Sequence, residues 1–114
     1  MPSLTSPTAN IIDAINRGDS DDFLRPFVGD AIVNDRHNVH RGHDEIRAWY
    51  ETEIAGKKVT IDVTDVRIHY GDEIVTGLVG NIPDHDRLAL YFSLRNDTVV
   101  QLVVLPIAGH PVES

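Results

Sequence analysis

The sequence predicts an α+β domain in which a curved, mostly antiparallel sheet wraps around three N-terminal helices. Three observations carry this expectation. Apolar residues recur at helical spacing through the first half of the chain, as at Ile46, Trp49, Tyr50 and Ile54, and from Val59 onward the period falls from 3.6 to 2. Helices therefore precede strands instead of alternating with them, the order of an α+β layer and not of a parallel βαβ sheet. Finally, Val59, Ile61 and Val63 alternate in one parity, while Val66, Ile68 and Tyr70 restart in the other. A slip of that kind within one strand marks a bulge or sharp bend.

Ser6 and Pro7 supply an N-cap candidate and a proline at the first helical position, Ile11, Ile12 and Ile15 follow at helical spacing, and Gly18 offers a stop. Asp19 and Ser20 can cap a second helix, with Asp21 and Asp22 in its first turn and Phe23, Leu24, Phe27 and Val28 on its buried side. Pro26 makes that helix short or kinked. Ala31, Ile32 and Val33 read as a brief strand ending near Asp35. The third helix opens at Gly42 with Asp44 and Glu45 and runs to Gly56.

Gly71 and Asp72 turn the first long strand into a second, Glu73 to Ile82, where Gly77 and Gly80 permit strong curvature. Pro83 to Asp86 makes the next connection. Leu88, Leu90, Phe92 and Leu94 share one face of the following strand, and Arg95 to Thr98 leads into the last, Val99 to Leu105. Both faces of that last strand are apolar, with Val100, Leu102 and Val104 opposite Val99, Val103 and Leu105. Helices cover only one face of the sheet, so the other needs a cover. A homodimer through the outer face is expected, with Tyr91 on that surface, and a two-sided core strand is the alternative.

With 114 residues the chain is one domain, able to bury roughly two-thirds of its unfolded surface. The expected organisation is a flexible N-terminus over 1–7, a single domain over 8–107 and a tail over 108–114. A net charge of -8, from 18 acidic and 10 basic residues, repels nucleic acid. Cysteine is absent, which removes disulfides, thiolate nucleophiles and zinc ribbons and fits a reducing cytoplasm. Met1 to Thr8 lacks the cationic and apolar regions of a secretory signal, and no segment reaches the roughly 20 apolar residues of a membrane span.

Chemistry-bearing residues concentrate between 33 and 51. Asp35 reads either as a general base in an apolar surround or as a turn residue paired in solvent with Arg36 or Arg41. His37, His40 and His43 form H-x2-H-x2-H, but residues three apart on a strand point to opposite faces, so no metal site is expected. His37 and His40 are instead candidates to assist Asp35 in proton transfer, with titrating loop histidines as the alternative. Trp49 reads as core or ligand platform, and Tyr50 carries a hydroxyl that needs a partner. His69, His85 and His110 read as solvated, and Asp84-His85-Asp86 lacks the geometry and the serine of a triad.

The segments NRGDSDDFLRPFVGDA at 16–31, VNDR at 33–36, RGHDEIRAWY at 41–50 and VVQLVVLP at 99–106 resemble the nuclear-transport-factor-2-like superfamily, in its SnoaL-like and ketosteroid-isomerase-like branches. The resemblance runs from about Thr8 to Pro106. It implies a cone whose curved sheet closes around a pocket capped by the helices, without a cofactor. Asp35 falls on the position of the isomerases' general base. Ile11 and a position near Leu90 stand where their tyrosine and neutral acid would, so the resemblance leaves the oxyanion donors unassigned. The pocket wall would include Leu78, Leu88, Leu90, Phe92 and Leu94, with Trp49 and Tyr50 reaching it. The implied function is isomerase- or cyclase-type acid–base chemistry on a small apolar molecule; the alternative is a non-catalytic ligand-binding or dimerisation module of the same fold.

Overall fold

The computed structural model describes residues 4–81 and 86–107. Helices α1 (Ser6–Arg17) and α2 (Ser20–Leu24) come first, followed by strands β1 (Phe27–Asp35) and β2 (Asn38–Arg41). Helix α3 (Gly42–Trp49) continues without a break into a π-helical turn, Tyr50–Ala55. Strands β3 (Thr60–His69), β4 (Asp72–Gly80), β5 (Arg87–Arg95) and β6 (Thr98–Ile107) complete a six-stranded sheet in the order β2-β1-β6-β5-β4-β3. All neighbours are antiparallel except β1 and β6. The α+β class, three helices and a curled, mostly antiparallel sheet, is as the sequence predicts.

The elements differ from expectation where proline and turn chemistry intervene. Helix α2 is capped by Asp19, whose side chain accepts the Asp22 N–H, as expected. It stops at Leu24, because Pro26 has no N–H to extend it, and Phe27 and Val28 belong to β1 instead of its buried side. That strand is nine residues long, not a brief one. Strand β2, read from sequence as loop, pairs back on β1 through a two-residue turn, Arg36 and His37, at φ 50° and 76°. Left-handed φ at both central positions matches the right-handed twist of a hairpin, and Asn34 braces the turn by accepting the His37 N–H.

Bulges bend the sheet. Thr64 is the extra residue between the Val63/Gly77 and Asp65/Thr76 pairs, where the parity slip predicts one. A second irregularity was not foreseen: Ser93 pairs with Gln101 but Leu94 with Val99, leaving Val100 over. This moves Val99 onto the inner face with Leu102 and Val104, all three buried, and corrects the expected division of the last strand. Gly77 is required by packing, since a Cβ there would lie 2.7 Å from the Ile61 side chain and 2.9 Å from the Asp62 carbonyl.

The inner face of the sheet and the helices enclose one core, with Ile11, Phe23, Ile46, Tyr50, Val75 and Phe92 at its centre. Polar clamps fix α1 at both ends. At its C-terminus, Asn16 accepts the Ile61 N–H (2.7 Å) and donates to the Ile61 carbonyl (3.0 Å), acting as a short piece of strand against β3. At its N-terminus, the fully buried Glu73 of β4 accepts the Thr5 N–H and the hydroxyls of Thr5 and Thr8. Helix α1 begins at Ser6, directly after Thr5. Ile82, Pro83, Asp84, His85 and the tail over 108–114, His110 included, lie outside the described residues.

Glu73→Ala should cost about 3 kcal/mol, since it strands the buried Thr8 hydroxyl and unties Thr5 at the base of α1, and Asn16→Ala about 1–2 kcal/mol. Urea unfolding measures both. A loss below about 0.5 kcal/mol for Glu73→Ala would mean that the clamp does not hold the helix.

Candidate functional site

Asp35 ends β1 on the inner face, level with Val104 of β6 and Asn38 of β2. The residue is 6% exposed. Burying a carboxylate requires donors, and two are present. The indole Nε1 of Trp49 donates to Oδ2 at 2.9 Å, and Nε of Arg36 donates to Oδ1 at 3.0 Å. Trp49 reaches β1 because it closes the apolar stripe of α3 one turn after Ile46. Arg36 reaches it because the hairpin turn follows Asp35 directly. Asp35 is thus neither alone in an apolar surround nor paired in solvent; it is a buried carboxylate in a built polar setting.

In front of Asp35 lies an open groove of about 650 Å³. Arg36, Asn38 and His40 from the hairpin form one side, and Glu45, Ala48, Trp49, Thr52 and Glu53 from α3 and the π-helical turn form the other. His40 pairs across from Val33, which puts it on the inner face, with its ring 6.0 Å from that of Trp49. Glu45 accepts the Arg41 N–H at the start of α3, and Glu53 pairs with Lys57 at 2.9 Å. The charges left in the groove are then the Asp35/Arg36 pair, the Glu53/Lys57 pair and Glu45.

The interior of the cone is a different matter. Between Phe23, Trp49, Ile61, Leu90, Leu102 and Val104 the remaining apolar gap is about 20 Å³. Such a gap holds about one water at most, so the core there is filled by its own side chains. Leu90 and Phe92, expected in a pocket wall, are 3% and 0% exposed and sit in packed core. Leu78 is on the outer face instead: it pairs with Arg87 and Asp62, and Gly77 takes the inward position beside it. Tyr50 does not reach the groove. It is fully buried, stacks on Phe23 at 4.1 Å and donates its hydroxyl to the Ala14 carbonyl at 2.9 Å. Burial pushes its phenol up to about 12, with the charge of Asp19 adding to the effect.

The three histidines part company. His37 is exposed in the hairpin turn, His40 lines the groove, and His43 turns its Nε2 to the Phe27 carbonyl at 2.9 Å, which requires the proton on that nitrogen. Among the described residues no three His, Asp or Glu side chains converge as metal ligands. Of the residues proposed from sequence, the structure brings Asp35, His40 and Trp49 together and leaves His37, Tyr50, Leu78, Leu90 and Phe92 elsewhere. Arg36, Asn38, Glu45, Thr52 and Glu53 were missed. The hairpin that presents two of them had a legible signal in Asn34-Asp35-Arg36-His37-Asn38, a polar turn between the apolar positions Val33 and Val39.

No protein-family model and no curated protein matches the sequence. Solved structures do match in fold. One is a candidate polyketide cyclase from Sinorhizobium meliloti, 20% identical, covering 90% of this chain and 95% of its own, with a TM-score of 0.82. A SnoaL-like protein of unknown function from Burkholderia thailandensis is 12% identical over 93% of this chain and 100% of its own, at a TM-score of 0.77. A candidate ketosteroid isomerase from Kribbella flavida is 12% identical over 96% and 82%, at 0.76.

The raised Tyr50 phenol gives a prediction about alkaline stability. A group whose folded pKa exceeds its unfolded value stabilises the fold below the unfolded value, and that stability is lost as pH rises from about 10 to about 12. The urea midpoint of the wild type should therefore fall across that window more steeply than that of Tyr50→Phe; equal slopes would contradict the buried, neutral phenol. By element order, sheet topology and these structural likenesses, the chain has the nuclear-transport-factor-2-like fold.

Proposed function

We propose that the chain handles a small molecule in the groove at the mouth of the cone, and that Asp35 transfers protons there as in a cofactor-independent isomerase or cyclase. One observation carries this reading: Asp35 lines an open groove of about 650 Å³ while Trp49 and Arg36 hold its carboxylate in place. A base held rigidly at a cavity wall is what proton abstraction requires. Each carboxylate oxygen accepts one hydrogen bond, which leaves lone pairs for a substrate proton. His40 lines the same groove as a second group able to exchange protons with the substrate or solvent. Polar and apolar surface share the groove about equally, so the occupant is amphipathic and not purely apolar: a compact apolar body against Ala48 and Trp49, with an oxygen or nitrogen function toward Asp35 and Arg36. The names carried by two of the fold's relatives, a candidate cyclase and a candidate isomerase, lend support of the same kind.

A passive module of the same fold is the second reading, favoured by the filled cone interior and by the two donors already on Asp35. The two readings separate in one experiment. 2-Tetralone, a neutral ketone with acidic α-hydrogens, exchanges them for deuterium in D₂O, and proton NMR follows the loss. The wild type should accelerate exchange over buffer by about 10²-fold or more, and Asp35→Asn should abolish the gain. Exchange at the buffer rate would leave only the passive module.

We further propose a homodimer through the outer face of the sheet. A row across three strands, Ile74, Tyr91 and Val103, is continued by the exposed Leu78 and Leu105. An apolar strip of that extent on a solvated sheet favours a cover. Light scattering after size exclusion should give twice the monomer mass of 12.7 kDa, and Tyr91→Glu should return it to the monomer. A wild-type monomer at micromolar concentration would remove this proposal. Among the described residues no helix is long and apolar enough to cross a membrane, and the cysteine-free sequence suits the cytoplasm we propose for it.

A further inference from the structure

The chemistry proposed at Asp35 lacks one part. Removing a proton beside a carbonyl leaves negative charge on the oxygen, and holding that charge supplies a larger share of the rate than the proton transfer. The positions that would carry such donors by family resemblance hold Ile11, which is fully buried, and Leu90, which is packed in core.

We infer that Arg36 takes this part, and that the groove is built for a neutral, enolisable carbonyl compound; the inference rests on the proton-transfer reading above. Arg36 is bound to Asp35 through Nε alone, at 3.0 Å, and its two Nη groups have no protein partner among the described residues. Its side chain is 48% exposed and lines the groove. The Nη groups lie two bonds from the Nε that touches the base. A carbonyl oxygen likewise lies two bonds from its α-carbon, so one planar guanidinium spans from base to oxyanion. A guanidinium is also permanently charged and offers donors in a fixed fork, which suits an oxygen whose charge develops during reaction.

The groove's remaining charges set the substrate class. Asp35 offsets Arg36, Lys57 offsets Glu53, and Glu45 accepts only a backbone N–H, so the uncompensated charge is negative. A free carboxylate or phosphate would add its charge to that of Glu45 in the same groove. A neutral ketone meets no such repulsion and becomes negative only next to the guanidinium. The step balances without a cofactor. Asp35 takes the α-proton, the C–H pair becomes the C=C bond of the enolate, and the carbonyl π pair moves onto the oxygen facing Arg36. The Asp35 acid then returns the proton to the same carbon or to a conjugated one, the carbonyl reforms, and both partners regain their starting charges.

The test uses Arg36→Gln and Arg36→Lys with 2-tetralone exchange, and calorimetric binding of 2-naphthol, a stable neutral analogue of its enol, against 2-naphthoate. Circular dichroism establishes that each variant is folded. Arg36→Gln should lower the maximal exchange rate about 100-fold with little change in the half-saturating ketone concentration, and Arg36→Lys should recover about tenfold of it. The wild type should bind 2-naphthol more tightly than 2-naphthoate. Exchange that is fast in the wild type and unchanged in Arg36→Gln would overturn the role of Arg36 while leaving Asp35 as base. No exchange in the wild type, with 2-naphthol bound more weakly in Arg36→Gln, would overturn the proton-transfer reading but keep the oxygen-binding role. Preference for 2-naphthoate, or equal binding of 2-naphthol by wild type and Arg36→Gln, would overturn the substrate class and the oxygen-binding role respectively.

Discussion

The hydrogen bond from the Trp49 indole to Asp35 is the contact on which the rest of the molecule's working end depends. It crosses from helix to strand inside the protein, where an unpartnered carboxylate or indole N–H would each carry a desolvation cost. Helix α3 can slide or rotate on β1 only by breaking it. The contact therefore fixes the angle of the helix and the aim of Asp35. Through the helix, it also fixes where the π-helical turn presents Thr52 and Glu53. The wider turn starts at Tyr50, so Trp49 faces β1 while Tyr50 and Ile54 stay in the core.

Filling the cone moves the candidate site outward. An open cone would offer a dry apolar chamber with a carboxylate at its end; here Phe23, Leu90, Leu102 and their neighbours occupy that space, and Asp35 faces the groove between the β1–β2 hairpin and α3. The proposed site there is wetter and more polar than a closed apolar chamber would be, and it would select by charge as well as by shape. The hairpin forms one wall of that groove through Arg36, Asn38 and His40. Its turn holds two non-glycine residues at left-handed φ, which costs roughly 1–2 kcal/mol per residue, and one of them is Arg36. Glycine would relieve that cost and would also remove the guanidinium.

Much of the fold was legible in the residues because it rests on periodicity and on local signals. The change from helical to alternating spacing at Val59 and the parity slip near Thr64 each have a direct counterpart. Gly18, at φ 69° after α1, and Asp19, capping α2, were read correctly for the same reason. What escaped depends on pairing across the chain. The bulge at Val100 is set by its neighbour β5, so the last strand alone gives the wrong division of faces. Glu73 looks like an ordinary surface residue in sequence, because its partners lie 65 and 68 residues away. The site was half legible: Asp35 and His40 stood out by type and place, but Arg36 and the rim carboxylates matter only once the hairpin is folded. Leu78 was misplaced because apolar character alone does not say which side of a two-sided sheet a residue takes.

A double-mutant cycle between Asp35 and Trp49 tests the central contact most directly. Wild type, Asp35→Ala, Trp49→Phe and the double variant are compared by urea unfolding. The structure predicts a coupling of about 1.5–3 kcal/mol, as for a buried hydrogen bond to a charged group. Additive losses, with coupling near zero, would contradict it and would leave the aim of Asp35 unexplained.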